Sequence, residues 1–419
     1  MKRFLLLLSA LLVPAHPLLG ASALTLEEAL TTALKNHPQI IEAKENVTAA
    51  QARTGQAAAA YYPQVSIAAD WSRGRSYLTP LERVKSTEVN TDALYLKQTI
   101  YDFGRTSGAV DAARGNRDAA DQALATTRQD LAQRVRSAFY LLLAAQKQVV
   151  AVGETVQARQ GVLRQAQEFF REGIRAKVDL ARAEANFFTA KTALIRAENN
   201  REIARVELAS AMGLPSLGEA SLAEPSPAAL PLPDRGEARQ QALRNRAELR
   251  QLTALKSAAS GYLKSARSSY LPILSGTAAV GYADRDFPPA GQVWAVGLNL
   301  TMPLFSGFSS VEQVREARAN LGSIEARQGS LRLQIAKEAE SAWLNANEAA
   351  ARMVSTDKEV AAANESRTLA EGRYQEGVGN IIEVTDAQTL ALDAETAHIQ
   401  ARYDYYTSLA RLDRALGKE

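Results

Sequence analysis

The chain has 419 residues, 49 Lys and Arg against 46 Asp and Glu, a formal net charge of +3, and no cysteine. That length exceeds one compact core and points to two domains or one elongated body, while balanced, interspersed charge argues against a nucleic-acid binder, which carries a basic face. Without cysteine, disulfides, thiolate catalysis and zinc–thiolate sites are excluded.

The first 23 residues read MKRFLLLLSALLVPAHPLLGASA: a charged start at Lys2 and Arg3, an apolar run, and a small-residue Ala21-Ser22-Ala23 pattern. This is the plan of a secretory signal peptide with cleavage expected before Leu24. Pro14 and Pro17 interrupt the run, which disfavours a retained anchor helix. No later stretch reaches the roughly 20 apolar residues of a spanning helix, so the mature chain is either soluble after export or enters a membrane by strands.

Residues 24–212 form a first unit. Residues 26–60 are rich in Ala, Gln and Glu and predict helix, ended at Tyr62 by Pro63, because the residue before proline avoids the α region. A β-hairpin is expected at about 64–103. In QVSIAADWS, Val65, Ile67, Ala69 and Trp71 fall on one face; after a polar loop, ALYLKQTIYDFG supplies the second strand, and Gly104 releases the chain into helix. A long helix over 105–172 contains no proline and would measure roughly 100 Å. Its apolar residues recur in heptads: Leu131, Ala138, Ala145 and Val152 interleave with Val135, Leu142, Val149, Val156, Leu163 and Phe170. A turn at Gly173 leads to a helix over 178–211.

Residues 213–236 hold five prolines and read as a connector. Residues 237–415 then repeat the first plan at an offset of about 204 to 209 residues. ALRNRAEL answers ALKNHPQI, SYLPILSGTAA answers YYPQVSIAA, PLFSGF answers IYDFGR, and QEG answers REG. The second unit comprises a helix, a hairpin at about 272–305 entered at Pro272 and left at Gly307, a long helix over 308–376, a turn at Gly377 and Gly379, and a helix over 380–415. Residues 416–419 are a tail.

In QVWAVGLNLTMPLFSG, Trp294, Val296, Leu298, Leu300 and Met302 share one face, and Val293, Ala295, Gly297, Asn299 and Thr301 the other. One apolar side and one small or polar side suit a membrane-barrel strand; a hairpin on a soluble core has the same period. Rods of this length require an elongated bundle, with or without a bore. If the strands enter lipid, four cannot close a barrel, and open edges leave backbone groups unpaired there. Several chains must then share one barrel, and three copies would supply twelve strands.

The residues resemble the TolC family of outer-membrane efflux and secretion channels. The resemblance covers 24–415 and rests on the duplicated plan, the YYP and YLP strand entries, the DFG and FSG exits, and above all YQEGVGNIIEVTDAQTLALDAE. It implies a mainly α fold with a membrane β-barrel part: a homotrimer whose twelve-stranded barrel (four strands per chain) stands in outer-membrane lipid of a Gram-negative bacterium. A long α-helical coiled-coil tunnel would continue it into the periplasm, with the connector in an equatorial region. It implies a passive exit duct of a tripartite efflux pump or type I secretion system. Its partners would be a periplasmic adaptor (membrane fusion) protein and an inner-membrane RND or ABC transporter, with no nucleic acid and no cofactor.

The resemblance also assigns the second-repeat turn to a gate at the periplasmic tip. Glu383 and Asp386, at i and i+3, share a helix face and under three-fold symmetry would form two acidic rings around the bore. In the family a tyrosine and an acid from the two turns hydrogen-bond to close the entrance; the matching positions here are Tyr374 and Asp179. Where some members carry an arginine this chain has Gly379, and Arg175 and Lys177 of the first turn are the basic residues available to supply the missing links.

Duller readings stand beside these. Glu383 and Asp386 suit a helix start, where acids meet the dipole favourably, and Tyr374 and Phe170 continue the apolar seam. His37 and His398 are isolated, and Asp386, Asp393 and Glu395 do not form a metal cluster. No phosphate loop, nucleophile elbow or metal-spaced set supports an enzyme. The alternative to a duct is an exported periplasmic coiled-coil scaffold or adaptor without a pore.

Overall fold

The computed structural model describes residues 23–78, 83–218, 221–225 and 232–418; the expected signal segment up to residue 22 and parts of the connector lie outside the described residues. The chain opens with α1 (Leu26–Asn36), whose start is fixed by a capping box: Thr25 Oγ1 accepts from the Glu28 N–H while the Glu28 carboxylate accepts from the Thr25 N–H. The helix expected over 26–60 is in fact divided. Pro38 holds His37 extended at φ −65°, ψ 130°, so α2 (Pro38–Ala58) starts afresh, capped by His37 Nδ1 accepting from the Gln39 N–H. The second repeat breaks at the equivalent point, Arg246 at φ −63°, ψ 122°, between α5 (Arg235–Asn245) and α6 (Ala247–Arg267). No proline follows Arg246, so nothing in the local sequence marks that break.

A single turn of 3-10 helix at Ala59–Tyr61 leads into β1 (Gln64–Leu78), paired with β2 (Arg83–Tyr101); a matching turn at Ser268–Tyr270 leads into β3 (Ile273–Asp284), paired with β4 (Gln292–Thr301). The four form one antiparallel sheet in the order β1-β2-β3-β4. The first hairpin is longer than the alternation suggested: the stretch read as a polar loop continues the ladder as far as the pair Leu78 and Arg83. Tyr62 and Leu271, each followed by proline, adopt nearly the same extended geometry at the two strand entries. At the exits two consecutive residues take positive φ, Phe103 and Gly104 in the first repeat, Gly307 and Phe308 in the second. These reversals turn the chain sharply from strand into helix, and a phenylalanine held in the left-handed region is unusual.

The long helices α3 (Arg105–Arg171) and α7 (Ser309–Gln375) are each 67 residues; α4 (Lys177–Ala211) and α8 (Ile381–Ala415), which fold back along them, are each 35. At about 1.5 Å per residue the long pair extends roughly 100 Å. Each folded-back helix packs on its own long partner through alanines: Ala183, Ala190, Ala197 and Ala204 on α4, and Ala387, Ala391 and Ala394 on α8. Small side chains allow close approach without a wide core. α3 and α6 approach closely: a Cβ on Gly115 would lie 2.5 Å from the Ala258 nitrogen and one on Gly261 2.5 Å from that of Ala112. Only glycine admits that packing.

Near the waist of the rods Arg246 and Arg414 gather Glu248, Glu338 and Asp130 into a linked set of ion pairs at 2.5 to 2.9 Å, tying α3, α6, α7 and the end of α8. Burial works to raise the Glu248 pKa, but hydrogen bonds from Arg246 and Arg414 outweigh it and bring it down to about 2. The described part of the connector around Leu222 and Glu224 lies farther along the rods toward the turns. Leu24 and Leu222 form a parallel bridge, and Glu224 is ion-paired with Lys147 and Arg402.

Candidate functional site

Two regions carry chemistry. At one end of the rods, each long helix is reversed by a glycine at φ +74°, Gly173 after α3 and Gly377 after α7. The carbonyls of the last helical turn are taken up locally: the Ile174 N–H donates to Phe169 O, and the Val378 and Gly379 N–H groups donate to Arg373 O. Gly379 is buried in this turn, where a Cβ would stand 2.9 Å from the Tyr374 nitrogen and 3.0 Å from the Arg373 carbonyl carbon. The turn as folded therefore leaves no room for a side chain at Gly379.

The two turns are joined through Arg175, whose Nη2 donates to Gly379 O at 2.6 Å and Gly377 O at 3.2 Å. The link is a charged donor on backbone carbonyls rather than an ion pair. Lys177, the first residue of α4, is exposed and makes no ion pair among the described residues. The ion pair at the tip comes from a residue that sequence reasoning missed: Arg373 Nε lies 3.0 Å from Glu383 Oε1. Its signal was present, ten residues before Glu383 across the turn, but only the reversal brings the two together. Asn380 caps α8 by accepting from the Glu383 N–H at 2.9 Å. Asp386, one turn on, is exposed.

Tyr374 is 1% exposed, packed with Ile381, Val384, Ala166 and Ala183, its ring edge-on to Phe169 at 5.9 Å. Phe169 rather than Phe170 is the aromatic that turns into the seam; Phe170 is exposed. The Tyr374 hydroxyl is buried without a hydrogen-bond partner among the described residues. Burial raises its pKa, the Asp179 charge raises it further and Arg175 opposes. Farther along, α8 meets α3 and α4 through polar side chains: Asn186 with Thr385 at 3.2 Å, Arg159 with Thr389 at 3.1 Å, and Gln148 with Thr396 at 2.8 Å. His398 lies 3.2 Å from Thr356 Oγ1, and no group able to hold a metal ion exists among the described residues.

The second region is the sheet at the opposite end. Residues directly opposed in an antiparallel ladder share a face, and the register aligns Ile67, Leu94, Val280 and Trp294 in one row and Val65, Leu96, Ala278 and Val296 in the next. Leu298 and Leu300 continue that face on β4, and all four of the expected outward residues there are exposed, Trp294 to 75%. The reverse face carries Gln64, Lys97, Thr277 and Gly297, then Ser66, Tyr95, Ala279 and Ala295. Exposed aromatic side chains bracket the apolar face, with Trp71, Tyr282 and Trp294 toward the hairpin ends and Tyr62, Tyr101, Phe305 and Phe308 toward the helices. From Trp294 to Met302 the chain covers about 27 Å along its axis; a tilt of about 40° reduces this to about 20 Å, close to the band of an outer-membrane barrel.

Comparison with known proteins agrees with this geometry. The family model described as outer membrane efflux protein matches residues 29–214 and 238–418, one match per repeat. Protein CyaE of Bordetella pertussis is 28% identical over 90% of this chain and 80% of its own, and outer membrane protein TolC of Salmonella enteritidis 24% identical over 91% and 79%. The crystal structure of the Campylobacter jejuni CmeC outer membrane channel superposes with a TM-score of 0.83 at 19% identity, covering 94% of this chain and 85% of its own, a likeness of fold. With both repeats matched and the helix, strand and turn plan in common, the chain belongs to the outer membrane efflux protein family.

Proposed function

We propose that the chain forms a trimeric outer-membrane channel-tunnel, the passive exit duct of a tripartite efflux pump or type I secretion system, gated at its helical tips. The observation that carries this reading is the sheet: its outward face is apolar and exposed between aromatic belts, and both edge strands, β1 and β4, are open. In lipid those edges require partners. Because the strands alternate in direction, β4 of one copy meets β1 of the next antiparallel, so any number of copies closes consistently; twelve strands from three copies leave a water-filled lumen.

The helices support the same closure. α3 packs on α1, α2, α4, α6 and α8, whereas α7 packs on α5, α6 and α8. The remaining side of α7 exposes Leu333, Leu344 and Leu369 on one stripe, and α4 exposes Phe188, Ile195 and Val206 on another. Both stripes gain burial if adjacent copies meet there.

At the tip, Arg175 clasping the carbonyls of the second turn, Arg373 pairing Glu383, and the unpartnered Tyr374 hydroxyl beside Asp179 are read as the closed gate. A buried hydroxyl without an acceptor costs roughly 1–3 kcal/mol, and Asp179, whose charge acts on this hydroxyl, is the acceptor that would relieve it. Glu383 and Asp386 would stand as acidic rings in the bore, Asp386 the less neutralised. An adaptor protein would meet the hairpin tips, and an inner-membrane RND or ABC transporter would supply the energy. Membrane fractionation with semi-native electrophoresis tests the proposal: an outer-membrane species of three chains that separates only on heating supports it, and a soluble periplasmic monomer rejects it.

A further inference from the structure

The first hairpin outgrows the second. β3 ends at Asp284, opposite Asn90, while β1 and β2 remain paired from Ser72 and Val89 to Leu78 and Arg83. This two-stranded ribbon continues roughly 20 Å past the four-stranded sheet, on the side away from the helices. Along β1 the outward face reads Val65, Ile67, Ala69, Trp71, Arg73, Arg75, passing from apolar to aromatic to cationic. Arg73 and Arg75 are exposed and make no hydrogen bond or ion pair among the described residues. Two acids near them accept hydrogen bonds from other groups. Glu88, opposite Arg73, accepts from the Trp71 indole N–H at 3.1 Å, and Asp284, on the row of Trp71, accepts from the Arg285 N–H at 2.6 Å.

We infer that Arg73 and Arg75 form a headgroup grip, binding phosphate groups of the lipids that surround the barrel at its outer rim. The inference rests on the barrel reading, since it takes the apolar face as the lipid contact and Trp71 as its boundary. Tryptophan settles at the level where hydrocarbon gives way to headgroups. The next outward-facing positions on the strand then stand about 7 and 13 Å farther along the strand, among the headgroups. Guanidinium matches phosphate by paired, charge-assisted hydrogen bonds. Anchoring at this level holds each ribbon against the membrane surface and fixes how deep the barrel sits.

The test uses the full-length protein reconstituted in vesicles of phosphatidylcholine, with or without a minor fraction of diphosphorylated lipid A. Co-purifying lipid A is counted by native mass spectrometry for the wild type and for Arg73→Gln, Arg75→Gln and the double variant. Because a cation near an anionic headgroup layer contributes about fivefold in binding, each single variant should retain about fivefold less lipid A and the double variant less again, with insertion into phosphatidylcholine unchanged. Equal retention by wild type and double variant in a properly inserted protein overturns the grip and leaves the duct intact. Suppression of the difference by inorganic phosphate at the lipid's own concentration overturns it too, by showing a site for free anions. Failure of every form to insert into either vesicle rejects the barrel reading itself.

Discussion

Replacing Arg175 with alanine removes the two hydrogen bonds that hold the first turn to the second, at 2.6 and 3.2 Å. A hydrogen bond from a charged donor contributes about 1.5–3 kcal/mol when shielded. Arg175 is only half-buried, so about 1–2 kcal/mol per chain is the appropriate scale for the pair. If three tips open together, the closed state loses roughly 3–6 kcal/mol, a shift of a hundredfold or more toward open. Single-channel recording in planar bilayers reads this directly: Arg175→Ala should raise mean conductance and lengthen open events, and Arg175→Lys, which keeps one charged donor, should fall between. Lys177→Ala is the control, because Lys177 is exposed and outside these contacts. A closed-state current in Arg175→Ala equal to that of wild type, in trimers of unchanged heat resistance, would refute the clasp.

Tyr374→Phe combined with Asp179→Ala should also increase conductance if the buried hydroxyl finds its acceptor in the closed gate; an unchanged current leaves Tyr374 with packing alone. Asp386→Ala should weaken cation preference, and block by multivalent cations, more than Glu383→Ala does, since Arg373 already offsets the Glu383 charge; reversal potentials in asymmetric salt measure it, and an equal effect contradicts the ion pair. Glu248, with a pKa lowered from 4.5 to about 2, contributes stability that is fully present above about pH 4.5 and is lost as pH falls toward 2. Removing it by Glu248→Gln should cost on the order of 3 kcal/mol at pH 7, and the difference should disappear as pH falls below about 2. Thermal unfolding across that range checks this, and parallel curves for the two proteins would exclude the carboxylate as the titrating group.

The sequence by itself determined the duplication, the hairpins and the rods, because these follow from local rules that any segment obeys alone. Period-2 alternation placed Trp294, Val296, Leu298 and Leu300 on one face, and the runs without proline around heptads of alanine and leucine admitted only long helices. It also located the turns at Gly173 and Gly377 and the acids after them. Extents and partners were a matter for the tertiary structure. The break at Arg246 has no local mark; it divides α5, which packs on α7, from α6, which packs on both α3 and α7. The ribbon beyond Trp71 looked like a loop because its residues are polar, yet the ladder depends on backbone pairing and not on side-chain polarity. Arg373 reaches Glu383 because the chain reverses at Gly377 between them, whereas Arg175 reaches the second turn only because two reversals, about 200 residues apart in sequence, come to lie side by side. Contacts of that kind depend on how the repeats pack, and no local pattern encodes them.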